Sequence, residues 1–231
     1  MSMTKDNSLI YNKIAGSIIT MKLLPGQKLG EIEMASKYKV SRTPIRDVFK
    51  KLEYNGLVEI HSQSGTYVTK IDMANISDLI YVRNCVEVNV LSSVAGKLSS
   101  LDKTYLKDNL KMQRCLNEKK KDSSDDSFAA ALFELDNQFH GYIYQMAAKQ
   151  GVLRILNGNQ PNFQRYRFMT FLRDESQLNS LYDIHEKMLN CIIDNDVSSL
   201  IEIVYEHNYA GLHGIDKVIQ KHPEYFENLE Y

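Results

Sequence analysis

Four side chains in the C-terminal half are of types that bind divalent metals. Asp136 and His140 stand four positions apart, roughly 6 Å along a helix axis, so both side chains would point the same way. His185 and His207 follow in two later helical segments. One oxygen and three nitrogen donors suit zinc, nickel or iron. The same spacing also fits histidines whose hydrogen bonds are satisfied by neighbours, with Asp136 and His140 as a surface pair.

A second group of side chains is cationic and lies near the N-terminus. Between positions 37 and 51 there are six Lys or Arg residues and a single acid, Asp47. Arg42, Arg46 and Lys50 fall four apart on one side of a predicted helix, and such a basic helix after a tight turn suits a major groove. Taken alone, the two arginines could equally be solvated surface residues.

The elements that position these cations can be traced along the first 70 residues. Apolar spacing predicts three helices and then two strands, at 8–22, 31–38, 42–54, 57–60 and 66–69. The hydroxyl of Ser41 is expected to cap the third helix, and Asn55-Gly56 to end it. The buried stripe of that helix is predicted to be Ile45, Val48, Phe49 and Leu52. The small polar loop 61–65 is a wing tip suited to sugar-phosphate contacts.

The rest of the chain has helical periodicity, with no strand pattern from Ile76 onward. The predicted helices lie at 75–98, 101–118, 127–149, 151–157, 161–172, 175–194, 198–214 and 215–221. The charged stretch 119–126 is predicted to be a solvated loop. The predicted fold is therefore mostly α, with an N-terminal winged helix-turn-helix at 1–72 and an all-α antiparallel helical bundle at 73–231.

Charge and cysteine content narrow the possible partners. Residues 1–72 hold eleven Lys/Arg and seven Asp/Glu, so they carry +4 in a chain whose total is −1. This asymmetry predicts a polyanion partner for the N-terminal part. Cys85, Cys115 and Cys191 include no CxxC pair, which is typical of the reducing cytoplasm. No stretch approaches the roughly 18 apolar residues of a membrane span, so we expect a cytoplasmic protein without membrane contact.

The segment PGQKLGEIEMASKYKVSRTPIRDVFKKLEYNGLVEIHSQSGTYV resembles the winged helix of GntR transcription regulators. The shared pattern is a PG turn, a short acidic helix, S-R-T-P-x-R and a glycine-tipped wing, and it covers residues 8–70. The resemblance implies binding to double-stranded operator DNA, with Arg46 pairing bidentately with guanine. The expected DNA contacts are Ser41, Arg42, Thr43, Arg46, Lys50, Ser62, Gln63 and Gly65. Ile32 stands where some relatives carry a basic residue, so one backbone contact is expected to be missing.

Residues 73–215 resemble the FCD effector domain of the FadR branch of the same family. The resemblance is carried by D-x-x-F-H at 136–140 and by the segment from His185-Glu186 through Asn195-Asp196 to His207. It implies that the four metal-binding side chains, Asp136, His140, His185 and His207, hold one divalent ion at the bottom of a cavity. The run 148–151 replaces the Gly-Asn break of the family, so the preceding helix is expected to run further.

The first helix of this domain also resembles the family signature, through Tyr81-Val82-Arg83 and Glu87. The resemblance implies that Arg83 faces a ligand pocket, where a guanidinium beside a metal would bind a small carboxylate. By spacing alone, Arg83 and Glu87 could merely pair with each other. Arg165 and Arg167 are further candidates for effector contacts.

Together the resemblances imply a homodimeric repressor on a pseudo-palindromic operator. A small organic acid bound beside zinc, nickel or iron, with zinc the first choice, would relieve the repression. Two other interpretations stay open. One is a metal-dependent enzyme that activates water at the Asp/His site, although no HExxH or paired-carboxylate pattern supports it. The other is a winged helix used only for protein contact, with the bundle as a metal-stabilised scaffold.

Overall fold

The computed structural model describes residues 5–120, 127–158, 160–172, 175–212 and 215–230. Within these ranges the contacts divide the chain into two compact units. The first unit comprises Met1–Ile76, Asn157–Tyr166 and Lys217–Tyr231, and the second comprises Ser77–Leu156 and Arg167–Asp216. The predicted boundary at 72/73 assigns the segments 157–166 and 217–231 to the C-terminal domain, whereas the contacts group them with the N-terminal residues.

Helices and a small antiparallel sheet make up the N-terminal part of the first unit. Its helices are α1 (Lys5–Ile19), α2 (Glu31–Tyr38) and α3 (Arg42–Tyr54). Its strands are β1 (Lys28–Leu29), β2 (Val58–His61) and β3 (Gly65–Val68), in the order β1-β3-β2. Tyr67 of β3 lies opposite Lys28 on one side and Glu59 on the other. The predicted helix-turn-helix and wing are thus confirmed.

Backbone conformation sets the turn that presents α3. Lys39 ends α2 in the left-handed region, at φ 56°. Ser41 is extended at the N-cap position of α3, but within the described residues its hydroxyl forms no capping hydrogen bond, so that expectation is wrong. Gly56, at φ 68°, follows the C-cap residue Asn55 and ends α3 as predicted.

The apolar side of α3 is anchored in the core of the first unit. Ile45, Val48, Phe49 and Leu52 are each at most 1% exposed, as the sequence predicts. They belong to one cluster with residues of α1, of the sheet and of the turn before β2, namely Ile10, Ile14, Ile18, Leu57, Val58 and Val68. Burial of one such side chain contributes about 1.5–3 kcal/mol. The stripe therefore fixes α3 firmly and leaves its other side to solvent.

A second, two-stranded sheet lies in the first unit. β4 (Ile71–Asp72) pairs in parallel with β5 (Phe226–Glu227), with Ile71 opposite Phe226. Both of these apolar side chains are buried. The expectation that no strand follows Ile76 is therefore wrong at β5. A two-residue strand is too short to leave an alternating pattern in the sequence.

Helices dominate the chain from Met73 onward. They are α4 (Met73–Val94), α5 (Ser100–Lys120), α6 (Ser127–Met146), α7 (Gln150–Asn157), α8 (Pro161–Thr170), α9 (Glu175–Asp194), α10 (Val197–Ala210) and α11 (Ile215–Lys221). α5 packs against α6 and α9, and α9 packs against α10. The shared core of the second unit contains fully buried Leu106, Phe139, Ile143, Ile192, Leu200 and Val204. The predicted helical bundle is confirmed.

Several helices end earlier than predicted. α4 ends at Val94 and not at 98, and α10 ends at Ala210 and not at 214. The end of α6 differs in the same direction. The helix ends at Met146, so the expectation that it runs further, to 149, is wrong. Ala148 adopts the left-handed conformation, at φ 53°, and the Lys149 amide donates to the Tyr144 carbonyl oxygen (2.8 Å). This hydrogen bond caps the last turn in the manner of a Schellman motif.

Some predicted features fall partly outside the described residues. They are the charged loop 119–126 from position 121 onward and the end of the predicted helix 198–214 at 213–214. In the part of the chain that the structure describes, no helix is both long enough and apolar enough to cross a membrane.

Candidate metal centre and nucleic-acid interface

Three helices of the second unit bring the four predicted metal ligands together. α6 supplies Asp136 and His140, α9 supplies His185 and α10 supplies His207. One ligand atom from each side chain lies within 4.8 Å of all the others. Asp136 and His185 are buried, at 3% and 0% exposure. A site enclosed in this way can bind an ion in a medium where charge interactions are strong.

The distances show which atoms converge. Oδ1 of Asp136 is 3.7 Å from Nε2 of His140 and 3.5 Å from Nε2 of His185. Nε2 of His185 is 2.9 Å from Nε2 of His207. The donor set is therefore one carboxylate oxygen and three Nε2 atoms, and their separations are of the size found between ligands that share one ion.

Burial keeps the three imidazoles uncharged. It lowers the pKa of His140 and of His207, and it brings the pKa of His185 to about 3. Burial would raise the pKa of Asp136, but the positive charge of Arg167 and the neighbouring histidines hold that pKa well below its usual range. At neutral pH the cluster presents one carboxylate and three neutral imidazoles, the protonation states in which these groups bind metals.

The hydrogen bonding of His185 and His207 tests whether a metal fits. Their Nε2 atoms face each other, so at most one of them can carry a proton between the rings. Two buried acceptors that face each other need a proton or a cation between them. Nε2 of His140 and Oδ1 of Asp136 belong to the same group of ligand atoms, all within 4.8 Å of one another, so one divalent cation can bind all four. The residues present fit the ion.

Arg167 binds the outer oxygen of the Asp136 carboxylate. Its Nη2 donates to Oδ2, which leaves Oδ1 directed toward the histidines. The guanidinium also lies over the ring of Phe133, 5.1 Å from the ring centroid. The structure thus places Arg167 beside the predicted metal ligands.

Arg83 lies in a buried polar network that joins α4 to α7 and α10. Its Nη1 donates to Glu87 Oε1 (2.9 Å) and its Nη2 to the Leu156 carbonyl oxygen (3.3 Å). Asn208, which follows the ligand His207, donates to Glu87 Oε2 (3.0 Å) and to Asn84 Oδ1 (2.9 Å). The Arg83–Glu87 pair considered from spacing is therefore present, and it is connected to the helix that carries His207.

Tyr144 and Asn208 were not identified as candidate site residues from the sequence. Tyr144 is 1% exposed, and its hydroxyl, within the ranges that the structure describes, has no hydrogen-bond partner. Burial raises the pKa of Tyr144 far above its usual value, and the nearby Glu87 acts in the same direction. The available signal was spacing, because Asp136, His140 and Tyr144 fall four apart on α6. Asn208 could have been noticed only as the neighbour of His207.

Arg165 has partners of another kind. It belongs to the first unit, is fully buried, and donates to Thr69, to the Lys70 carbonyl oxygen and to Asn162. All of these partners belong to the first unit, whereas the predicted metal ligands belong to the second. We therefore leave Arg165 out of the effector site proposed below.

The predicted DNA-contacting residues of α3 lie on its solvent side. Ser41, Arg42, Thr43, Arg46 and Lys50 are all exposed. Glu31 of α2 accepts hydrogen bonds from Arg42 Nη2 (3.0 Å) and Arg46 Nε (2.9 Å). Both guanidinium groups are therefore held side by side by one carboxylate.

The wing carries the remaining predicted contacts. Ser62 and Gln63 are exposed at its tip. Gly65 has φ 132°, a backbone conformation that other residues rarely adopt, so the position favours glycine. Lys28 was not singled out from the sequence, but β1 places its ammonium beside the wing, 5.5 Å from the Tyr67 ring centroid. Its only sequence signal was its place between the PG turn and α2.

Comparison with known proteins agrees with both parts of the chain. The family model described as bacterial regulatory proteins of the gntR family matches residues 7–68, and the FCD domain model matches residues 78–210. The chain is 33% identical over 165 residues to the HTH-type transcriptional repressor RspR of Escherichia coli (strain K12), covering 71% of this chain and 69% of that protein. It is 26% identical over 217 residues to an HTH-type transcriptional regulator of Streptomyces ambofaciens, covering 94% of this chain and 88% of that protein.

Solved structures show the same fold. E. coli McbR/YncC superposes with a TM-score of 0.72 at 14% identity, over 95% of this chain and 99% of that one. A GntR regulator structure from Rhodococcus sp. RHA1 gives a TM-score of 0.72 at 14% identity, over 92% and 99%. The relatives are transcription regulators, which decides against the enzyme interpretation. The chain belongs to the GntR family and is a DNA-binding transcription regulator with an FCD domain.

Proposed function

We propose that this regulator is a homodimeric repressor whose operator affinity is controlled by a small organic acid bound beside a divalent metal. The observation that carries the proposal is the convergence of one carboxylate and three neutral imidazoles in the second unit. A DNA-binding protein has no need of such a donor set for reading DNA. Its presence in the FCD domain supports a sensing role.

DNA recognition is assigned to α3 and the wing. Arg46 reads a guanine, because its guanidinium can pair bidentately with O6 and N7 in the major groove. Arg42 and Lys50, with Ser41 and Thr43, bind phosphates on either side. Ser62, Gln63 and Gly65 of the wing approach the sugar-phosphate backbone, and Lys28 adds a cation there.

The metal would be held by Asp136, His140, His185 and His207, with zinc the first choice and nickel or iron as alternatives. When bound, the ion supplies a Lewis acid that attracts a carboxylate. Arg83 and Arg167 add positive charge in the same region. Burial lowers the pKa of Arg83, and the charge of Arg167 acts in the same direction. The Tyr144 hydroxyl offers a hydrogen-bond donor. This combination of groups favours a small acid with a second polar oxygen.

Two observations support the assembly and the sign of control. The chain resembles a protein named a transcriptional repressor. Aromatic side chains of the second unit are exposed on α4 and α10, with Tyr81 at 70%, Tyr205 at 45% and Tyr209 at 42%. Asn84 and Asn208 join these two helices, so the exposed aromatics lie on adjacent elements. A second copy of the chain is the partner proposed for them, and light scattering of the purified protein tests the dimer.

The DNA-reading role is tested by Arg46→Ala. The operator is obtained by selection from a random duplex pool, and binding is measured by fluorescence anisotropy. The substitution should cost about 1–3 kcal/mol on the operator and much less on random duplex. Arg154→Ala, at an exposed position on α7, is the matched control and should change neither. Retained preference for the operator in Arg46→Ala would reject Arg46 as a base reader.

The metal site is tested by His185→Ala. The protein is purified without chelator or histidine tag, and its metal content is measured by mass spectrometry. The substitution should lower the bound metal by about 10-fold or more, because one ligand is lost. His222→Ala is the control, since His222 pairs with Glu224 outside the cluster. Wild-type protein that carries no divalent ion and binds none when it is supplied would contradict the site.

A further inference from the structure

Helix α8 carries two arginines with very different partners. It runs without interruption from Pro161 to Thr170. Its residues up to Tyr166 belong to the first unit, and those from Arg167 onward belong to the second. Arg165 and Arg167 therefore lie two positions apart on one helix, about 3 Å along its axis, and each makes its contacts within its own unit.

Arg165 is tied to the chain that follows the wing. Its side chain is fully buried. Nη1 donates to the Thr69 carbonyl oxygen, and Nη2 donates to Thr69 Oγ1 (3.0 Å) and to the Lys70 carbonyl oxygen (3.0 Å). Burial lowers the pKa of Arg165 to about 10, so the group keeps its charge at neutral pH. A charged, enclosed guanidinium with these acceptors holds the Thr69-Lys70 backbone firmly.

Thr69 is in turn tied to the end of the recognition helix. Its Oγ1 donates to the Gly56 carbonyl oxygen (2.9 Å) and its amide to the Leu57 carbonyl oxygen (3.2 Å). Gly56 and Leu57 come directly after the C-cap residue of α3. A displacement of Arg165 would therefore move Thr69, and through its hydrogen bond to Gly56 it would move the end of α3, the helix that carries Arg46.

Arg167 is tied to the predicted metal ligand Asp136. It binds Oδ2, while Oδ1 faces His140 and His185. A cation bound at Oδ1 shares the negative charge of this carboxylate and weakens its attraction for Arg167. The Arg167 side chain is thus the group of α8 whose interaction changes when the Asp/His cluster is filled.

We propose that Arg165 is a positioning residue that, together with Arg167, makes α8 the element coupling the metal site to operator affinity. The inference rests on the proposed function, because it requires that the Asp/His cluster binds a metal. A helix is stiff along its axis, so a change at Arg167 is passed to Arg165 two residues earlier. Arg165 touches neither DNA nor metal, and it acts through Thr69.

The test compares the full-length wild type with Arg165→Met, which keeps an unbranched, flexible side chain and removes the guanidinium with its hydrogen bonds. Arg154→Met on α7 is the control. The probe is zinc alone. Zinc affinity is measured by competition with a coloured chelator, and operator affinity by anisotropy with and without zinc. For the wild type and the control, zinc should change operator affinity at least about fivefold. Arg165→Met should bind zinc as the wild type does, but should lose most of that change.

The outcomes separate the two proposals. If the wild type binds zinc and responds, and Arg165→Met responds equally, the role of Arg165 is overturned while the proposed function stands. If the wild type binds no zinc, both fail. If it binds zinc without any change in operator affinity, the coupling through α8 is overturned, while control by an organic acid at the metal site stands.

A second measurement needs no substitution. Hydrogen exchange of the wild type should change at the amides of Leu57 and Thr69 when zinc is added. A change confined to α6, α9 and α10 would also overturn the proposal.

Discussion

Two carboxylates, one in each unit, bind arginines in opposite surroundings. In the first unit Glu31 pairs with Arg42 and Arg46, whose side chains are 55% and 54% exposed. In the second unit Asp136 pairs with Arg167, and their side chains are 4% and 16% exposed. Water competes for the first set of groups and hardly for the second. An exposed pair can therefore exchange its partner cheaply, whereas a buried pair is costly to break.

This difference matches what each unit has to do. The arginines of α3 must leave Glu31, at least in part, when phosphates and bases arrive, so a weak and solvated pair suits them. Asp136 must keep one oxygen aimed at three histidines whether or not an ion is bound. Arg167, which lies over the ring of Phe133, binds the other oxygen of Asp136 and favours that orientation. The same chemical pairing thus serves reversible binding in one unit and a fixed site in the other.

The largest effect is expected when the carboxylate of each pair is removed and the two losses of stability are compared. Asp136→Ala removes a carboxylate that is 4% exposed and pairs with a mostly buried guanidinium, so the free energy of unfolding should fall by about 3–5 kcal/mol. Glu31→Ala, which removes a carboxylate from an exposed pair, should change it by less than about 1 kcal/mol. Urea unfolding of the chelated proteins measures both. Equal losses for the two variants would show that burial does not distinguish these pairs.

The second test uses pH on the metal-free protein. The pKa values of His140, His185 and His207 are lowered in the folded state, so the unfolded state binds more protons below its own pKa near 6.5. The contribution of these neutral histidines to the free energy of unfolding is therefore complete above pH 6.5 and is lost as the pH falls. For His185 the loss continues down to its folded-state pKa of about 3. The expected slope approaches roughly 1.4 kcal/mol per pH unit for each histidine.

Urea unfolding between pH 7 and pH 5, in the presence of a chelator, measures this slope. His185→Gln is the matched variant and should have a shallower slope, because it removes one group that must stay neutral. Identical slopes for the variant and the wild type would mean that His185 titrates normally in the fold. The exposed pairs of Glu31 do not contribute to this slope. Burial would raise the pKa of Glu31, but hydrogen bonds from Arg42 and Arg46 hold that pKa below its usual value.

In both units, the features that were predicted correctly from the sequence are those marked by a repeated spacing of residues. The buried stripe of α3 and the bounds of α2 and α3 followed from helical periodicity. The convergence of Asp136, His140, His185 and His207 followed from residue type, a spacing of four and a family motif. These features are local, because each depends on residues within one helix or on a motif that chemistry constrains.

The features that it missed depend on partners far away in the chain. Arg165 meets Thr69 across 96 positions, and no pattern in the sequence shows that pair. Ile71 and Phe226 pair through strands of two residues. The end of α6 is set by the left-handed backbone conformation of Ala148, which cannot be predicted from residue type because alanine rarely adopts it. Tertiary packing decides these points, and a single sequence carries no record of it.

The smallest effect concerns the exposed pair again, this time in DNA binding. Glu31→Gln keeps the shape of the side chain and removes a negative charge that holds Arg42 and Arg46. Because the arginines then face DNA without that competitor, affinity for random duplex at low salt should rise by roughly 2- to 5-fold. Preference for the operator should fall slightly, since Glu31 also fixes the direction of the Arg46 guanidinium.

The control for this variant is Glu33→Gln, which makes the same change of charge at an exposed position on the same helix. Anisotropy titrations of both variants against operator and random duplex, repeated at increasing salt, separate the possible causes. An equal gain for both variants would assign it to net charge and not to release of the arginines. If Glu31→Gln loses affinity and Glu33→Gln does not, the Glu31 carboxylate acts mainly by holding the two arginines in the orientation that binds DNA. The exposed pair would then resemble the buried one more closely than its solvent exposure suggests.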